Sequence, residues 1–150
     1  MQMKIALKYG LLITLGVIAW VVITHLLIPD PRSPVHSLFA GIFFNLLHIA
    51  GTFLAVNTAR NEAAGRLTFK DGIKTGLATA FVYAISSSLF FLVAIVAVGP
   101  KLMASEPGIE NFPLWSVALG AFVGLFVGSL VFGLIYSTVI SFFLAKRHDG

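Results

Sequence analysis

The chain has 150 residues, of which 58% are hydrophobic and only 11% are charged, and its mean hydropathy is +0.97. Because about 25% of the residues in soluble domains are charged, this composition excludes a soluble globular protein and indicates an integral membrane protein. The formal charge of +4 does not indicate nucleic-acid binding, since the basic residues lie at the ends of apolar segments. There is no cysteine, which excludes disulfides, thiolate metal sites and cysteine nucleophiles.

Four apolar segments follow one another along the chain. The first is longer than the apolar region of a signal peptide, so we expect it to be retained as a helix. Pro29, Pro31 and Pro34 end it, because proline cannot continue a helix. The predicted spans lie at about 9–28, 36–57, 74–98 and 114–144, each long enough to cross a bilayer core. The predicted fold is an all-α bundle, a single domain over 1–150 built from two transmembrane hairpins.

The long polar run Thr58–Gly76 separates the two hairpins. We predict a cytoplasmic loop at 58–73. Thr68 and Asp71 match a capping box, which predicts that the third helix begins near Thr68.

The basic residues predict how the chain is threaded. The N-terminus, the middle loop and the C-terminus carry Lys4, Lys8, Arg60, Arg66, Lys70, Lys74, Lys146 and Arg147, whereas the other two loops carry Arg32 and Lys101. By the positive-inside rule both termini and the middle loop face the cytoplasm. The four basic residues of the middle run fix this orientation, although the same residues are suited to anionic lipid headgroups.

A histidine lies near the predicted midplane of the second span. Asn45, His48 and Thr52 are three and four residues apart and share one helix face with Gly41. Intramembrane ionisable residues point to function by default, here an axial ligand to haem or a chlorophyll-type pigment, or a proton relay. The alternative, which we favour, is an imidazole that is hydrogen-bonded to Asn45, Thr52 or a serine of 86–88 and holds the bundle together. The expectation is therefore that no cofactor is bound.

Several functional classes lack their usual residues. All six acidic residues lie outside the predicted spans, which disfavours an ion-coupled transporter. The sequence contains no phosphate-binding Gly-Lys-Ser/Thr loop and no His-Glu-x-x-His zinc motif. A catalytic group of His48, Tyr83 and the serines at 86–88 would have no carboxylate to orient the histidine. We therefore expect no enzymatic activity.

Small residues recur every four positions on the last two spans, a pattern that lets helices approach closely. On the third span the row is Gly76, Ala80, Ala84 and Ser88. The fourth span carries two rows, the first of Ser116, Gly120, Gly124 and Gly128 and the second of Ser129, Gly133, Ser137 and Ser141. The fourth helix is thus predicted to have two close-packing surfaces.

Three short motifs resemble a known family. They are Lys8-Tyr9-Gly10 at the start of the first span, Arg60-Asn61-Glu62 followed by Gly65-Arg66-Leu67-Thr68-Phe69 in the loop, and Lys74-Thr75-Gly76. With these motifs the chain resembles, over nearly its whole length, the bacterial four-helix membrane family catalogued as domain of unknown function 4199. The resemblance implies four helices and no assigned activity. Because the family is bacterial, it also implies that the membrane is a bacterial inner membrane.

The predicted function is that of a non-catalytic accessory or scaffolding subunit, which packs its small-residue rows against other transmembrane subunits or against copies of itself in the bilayer. A pigment- or haem-binding subunit that uses His48 is the first alternative. A small carrier or channel is the second. We expect no nucleic-acid partner.

Overall fold

The computed structural model describes residues 2–27, 34–99, 108 and 111–145. Within these ranges it contains four α-helices, which are α1 (Gln2–Leu27), α2 (Pro34–Glu62), α3 (Phe69–Val98) and α4 (Leu114–Leu144). Each is long and apolar enough to cross a membrane, so the predicted all-α fold with four spans is confirmed. The predictions for Pro29, Pro31, Arg32, Lys101, Lys146 and Arg147 fall outside the described residues.

The helices extend further into the polar segments than the predicted spans. α1 begins at Gln2 rather than near residue 9, and α2 continues to Glu62 rather than ending near residue 57. Only residues 63–68 separate α2 from α3. Hydropathy locates only the part of a helix that the bilayer core requires to be apolar, whereas backbone hydrogen bonds continue through polar residues beyond it.

The turn between α2 and α3 is closed by hydrogen bonds at both of its ends. The Gly65 N–H donates to the Arg60 carbonyl at 2.9 Å and the Ala64 N–H donates to the Asn61 carbonyl at 3.1 Å, the pair of bonds that defines a Schellman motif. Ala64 accordingly has φ 51° and Gly65 has φ 79°. At the other end the Asp71 N–H donates to Thr68 Oγ1 at 3.2 Å, so the predicted start of α3 at Thr68 is confirmed.

α3 lies at the centre of the packing and contacts the other three helices, most closely α4. α1 and α4, by contrast, have almost no contact with each other. α1 is tied to α3 by a 2.6 Å hydrogen bond between Thr14 Oγ1 and Ser86 Oγ. It is tied to α2 by a 2.8 Å hydrogen bond between the Tyr9 hydroxyl and Thr58 Oγ1. α2, α3 and α4 also contact one another, and where they meet they surround one buried histidine.

Candidate functional site

His48 of α2 lies inside the bundle with 3% of its surface exposed. The centre of its ring is 4.8 Å from that of Tyr83 on α3 and 5.2 Å from that of Tyr136 on α4. Its Nε2 atom has no hydrogen-bond partner among the described residues. This atom faces α4 at Gly133, where a Cβ atom would lie 3.4 Å from it. Three helices therefore enclose the imidazole.

The side chains that the sequence suggested as hydrogen-bond partners of His48 do not bond to its Nε2 atom. Asn45 accepts a 2.6 Å hydrogen bond from the Tyr136 hydroxyl at its Oδ1 and donates from Nδ2 to the Gly41 carbonyl at 2.8 Å. Thr52 is fully buried, yet neither Thr52 Oγ1 nor Ser88 Oγ has a partner in the described part of the chain. Ring contacts and close packing, rather than hydrogen bonds to Nε2, therefore hold the histidine.

Two tyrosines complete the polar site, and sequence reasoning gave neither of them its observed role. Tyr136 links α4 to Asn45 on α2 through its hydroxyl, and Tyr83 on α3 is buried with its ring 4.8 Å from that of His48. A partner 91 residues away in the chain leaves no signal in local spacing. The site joins α2, α3 and α4 without any carboxylate, and the described residues contain no group of three or more His, Cys, Asp or Glu side chains able to hold a metal.

The space around Nε2 of His48 bears on the haem- or pigment-binding alternative. An axial ligand needs open space beyond its nitrogen for a flat ring system, whereas Nε2 faces the α4 backbone at Gly133. The tyrosine rings lie beside the imidazole at 4.8 and 5.2 Å. Binding would require α4 to move away from α2. In the described structure these residues form a packed polar core.

The second small-residue row of α4 packs directly against α3. A Cβ atom added at Gly133 would overlap Ala80, and one added at Gly76 would overlap Ser137. One turn further along, a Cβ atom at Gly72 would lie 2.5 Å from Ser141 Oγ. The α3 row is buried at all four of its positions, Gly76, Ala80, Ala84 and Ser88. Absent or small side chains therefore set the distance between α3 and α4.

The first small-residue row of α4 has a different environment. Gly120, Gly124 and Gly128 each have nothing within 4 Å of an added Cβ atom in the described structure. α4 is also the least buried of the four helices. In its most hydrophobic 18-residue stretch 17% is buried within the bundle, against 28–33% in the other three helices. We call this row, Ser116, Gly120, Gly124 and Gly128, the open row. The described bundle places no neighbour over the three glycines of this row.

Every lysine and arginine that the structure describes lies at one end of the bundle. That end is marked by a core cluster that joins α1, α2, the 63–68 turn and α4, formed by Ile5, Ala55, Val56, Ala59, Leu67 and Ile140. The basic residues next to it are Lys4, Lys8, Arg60, Arg66, Lys70 and Lys74. We call it the basic end. The N-terminal part of α1, the middle turn and the C-terminal part of α4 thus share one end.

Comparison with known proteins identifies a family. The family model described as protein of unknown function (DUF4199) matches residues 8–106, well over half of the chain. The chain belongs to this family. Nothing matches among the curated proteins or among the solved structures.

The DUF4199 match covers α2 and α3 but stops before α4 begins at Leu114. It is narrower than the nearly complete coverage that the motifs suggested. His48, Asn45 and Tyr83 lie inside the matched region, whereas Tyr136 and Gly133 lie outside it. Membership therefore supports the motifs around the middle turn and assigns no activity to the buried site.

Proposed function

We propose that this DUF4199 protein is a non-catalytic membrane subunit that docks another transmembrane helix on the open row of α4. The observation that carries the proposal is the absence of any neighbour within 4 Å of an added Cβ atom at Gly120, Gly124 and Gly128. Without a hydrophobic force between helices in lipid, association depends on close backbone approach, which rows of small residues permit. The row that faces α3 already serves this purpose within the bundle. The open row offers the same geometry to a helix of a larger complex or of a second copy.

The proposal includes a place and an orientation. We place the protein in a bacterial inner membrane with the basic end in the cytoplasm. The basic segments Lys4–Lys8 and Arg60–Lys74 lie together at this end, and the positive-inside rule assigns the more basic side to the cytoplasm. The open row then begins at the opposite side of the membrane and runs inward along α4. A helix that docks on it would cross most of the bilayer beside α4.

A single substitution in the open row tests the docking proposal. Because nothing lies within 4 Å of an added Cβ at Gly124, Gly124→Leu should fold normally yet keep a partner helix from approaching. We expect its association to weaken by about tenfold or more, a loss of about 1.4 kcal/mol. Blue-native electrophoresis after extraction in mild detergent would show the wild type in a larger species and the variant shifted towards the monomer.

Ala50→Leu is the matched control, since Ala50 is a small exposed residue on α2, away from the open row. This variant should migrate like the wild type. A wild-type protein that runs as a monomer across gentle detergents contradicts the proposal. So does a Gly124→Leu protein whose larger species is unchanged.

The absence of a pigment is a separate prediction. Since Nε2 of His48 faces the α4 backbone at Gly133, protein purified from its native membrane should show no haem or chlorophyll-type band in its visible absorption spectrum. A visible band that disappears in His48→Ala would establish the pigment-binding alternative instead.

A further inference from the structure

We propose that the basic end is a binding surface for anionic phospholipid headgroups. The described residues at this end comprise six basic and two acidic side chains, a formal excess of four positive charges. They form no ion pair with one another that would neutralise the excess, and the Asp71 carboxylate accepts a 2.6 Å hydrogen bond from the Thr68 hydroxyl. The acidic phosphate of a lipid headgroup is the complementary charge at this depth.

The middle turn holds part of this charge in a fixed place. Leu67 is buried in the core cluster of the basic end, and the neighbouring residues Arg66 and Lys70 are exposed on either side of the α3 N-cap. The Schellman bonds on one side and the Thr68 cap on the other restrain the chain between them. The cations are therefore presented from an ordered turn rather than from a flexible tail, which lowers the entropy lost on binding.

Apolar side chains beside the cations favour a lipid surface over a soluble polyanion. Phe69 is exposed next to Lys70, and Met3 and Leu7 are exposed next to Lys4 and Lys8. An exposed apolar residue beside a cation matches the boundary between acyl chains and headgroups. A nucleic acid or a free phosphate ion would use the cations alone and leave these apolar side chains in water.

Native mass spectrometry of the delipidated protein in detergent would measure the preference. We expect phosphatidylglycerol to bind at least tenfold more tightly than phosphatidylcholine. Arg66→Gln/Lys70→Gln should lose most of this preference, since each basic residue contributes roughly fivefold. The matched control is Arg32→Gln/Lys101→Gln, which removes the same two charges from the other loops of the sequence and should bind phosphatidylglycerol like the wild type.

Three outcomes would overturn the proposal. They are equal binding of the two lipids by the wild type, an equal loss of preference in both double variants, and displacement of phosphatidylglycerol by millimolar inorganic phosphate or by a short single-stranded oligonucleotide. The wild type provides a test that does not depend on any variant. Its thermal stabilisation by added phosphatidylglycerol should fall when NaCl is raised from 0.1 to 1 M, because the Debye length falls from about 10 to about 3 Å.

Discussion

Gly133→Ala should lower the melting temperature of the purified protein by about 2–12 °C, which corresponds to an overpacking cost of about 1–3 kcal/mol. The added methyl group would overlap the Cβ of Ala80 and lie 3.4 Å from Nε2 of His48. Neither neighbour can move aside easily, because Ala80 has no flexible side chain and His48 is enclosed by two tyrosine rings. The helices must separate instead, which loosens the contacts along the whole α3–α4 interface.

Gly41→Ala is the control for this prediction. Gly41 lies on α2 with nothing within 4 Å of an added Cβ atom, so the same chemical change meets open space. Alanine has a higher helix propensity than glycine by about 1 kcal/mol, and this variant should be as stable as the wild type or slightly more stable. Thermal unfolding followed by tryptophan fluorescence in one detergent would compare all three proteins. Equal melting temperatures for Gly133→Ala and the wild type would contradict the close packing of α3 on α4.

His48→Leu should be as stable as the wild type, whereas His48→Ala should lose about 2–4 kcal/mol. Leucine nearly fills the volume of the imidazole and removes a buried nitrogen, Nε2, that has no partner in the described structure. An unpaired buried polar atom costs about 1–3 kcal/mol. The leucine variant avoids this cost, which offsets the loss of the imidazole's ring contacts with Tyr83 and Tyr136. Alanine instead leaves a cavity between Tyr83 and Tyr136. Guanidinium or thermal unfolding of the three proteins in the same micelle provides the comparison.

The leucine variant also shows whether His48 has a role beyond packing. If His48→Leu is destabilised as strongly as His48→Ala, then Nε2 forms a favourable interaction in the membrane that the packed bundle does not supply. That result would contradict a purely structural histidine and would direct attention to a ligand of the imidazole. If His48→Leu is stable and still forms the larger species in blue-native gels, the histidine is not needed for docking on α4.

Local signals in the sequence were sufficient for the helices. Apolar length defined four spans, and the pair Thr68 and Asp71 located the start of α3, because a cap depends only on residues within one helical turn. α1 begins before its predicted span and α2 ends after its predicted span, since hydropathy detects only the residues that lie in the bilayer core. The basic residues that the structure describes also lie at one end, as predicted, because two antiparallel hairpins return the chain to that end.

The buried site illustrates what local spacing leaves open. The 3.6-residue period placed Asn45, His48 and Thr52 on one face, but it could not show that Asn45 would bond to Tyr136 or that Nε2 would meet Gly133. Those contacts depend on how three helices are rotated about their axes. That rotation is set by the sum of all side-chain contacts between them.

By itself the sequence determined that this is a membrane protein with four helices, which family it belongs to, and that α4 carries two candidate packing rows. Only the tertiary structure decided which of the two rows is used within the bundle. The reason is that both rows consist of small residues at every fourth position, and this spacing alone does not show which row faces α3. In the second row, Gly133 packs against Ala80 and Ser137 packs against Gly76. The three glycines of the open row, Gly120, Gly124 and Gly128, have no neighbour in the described bundle.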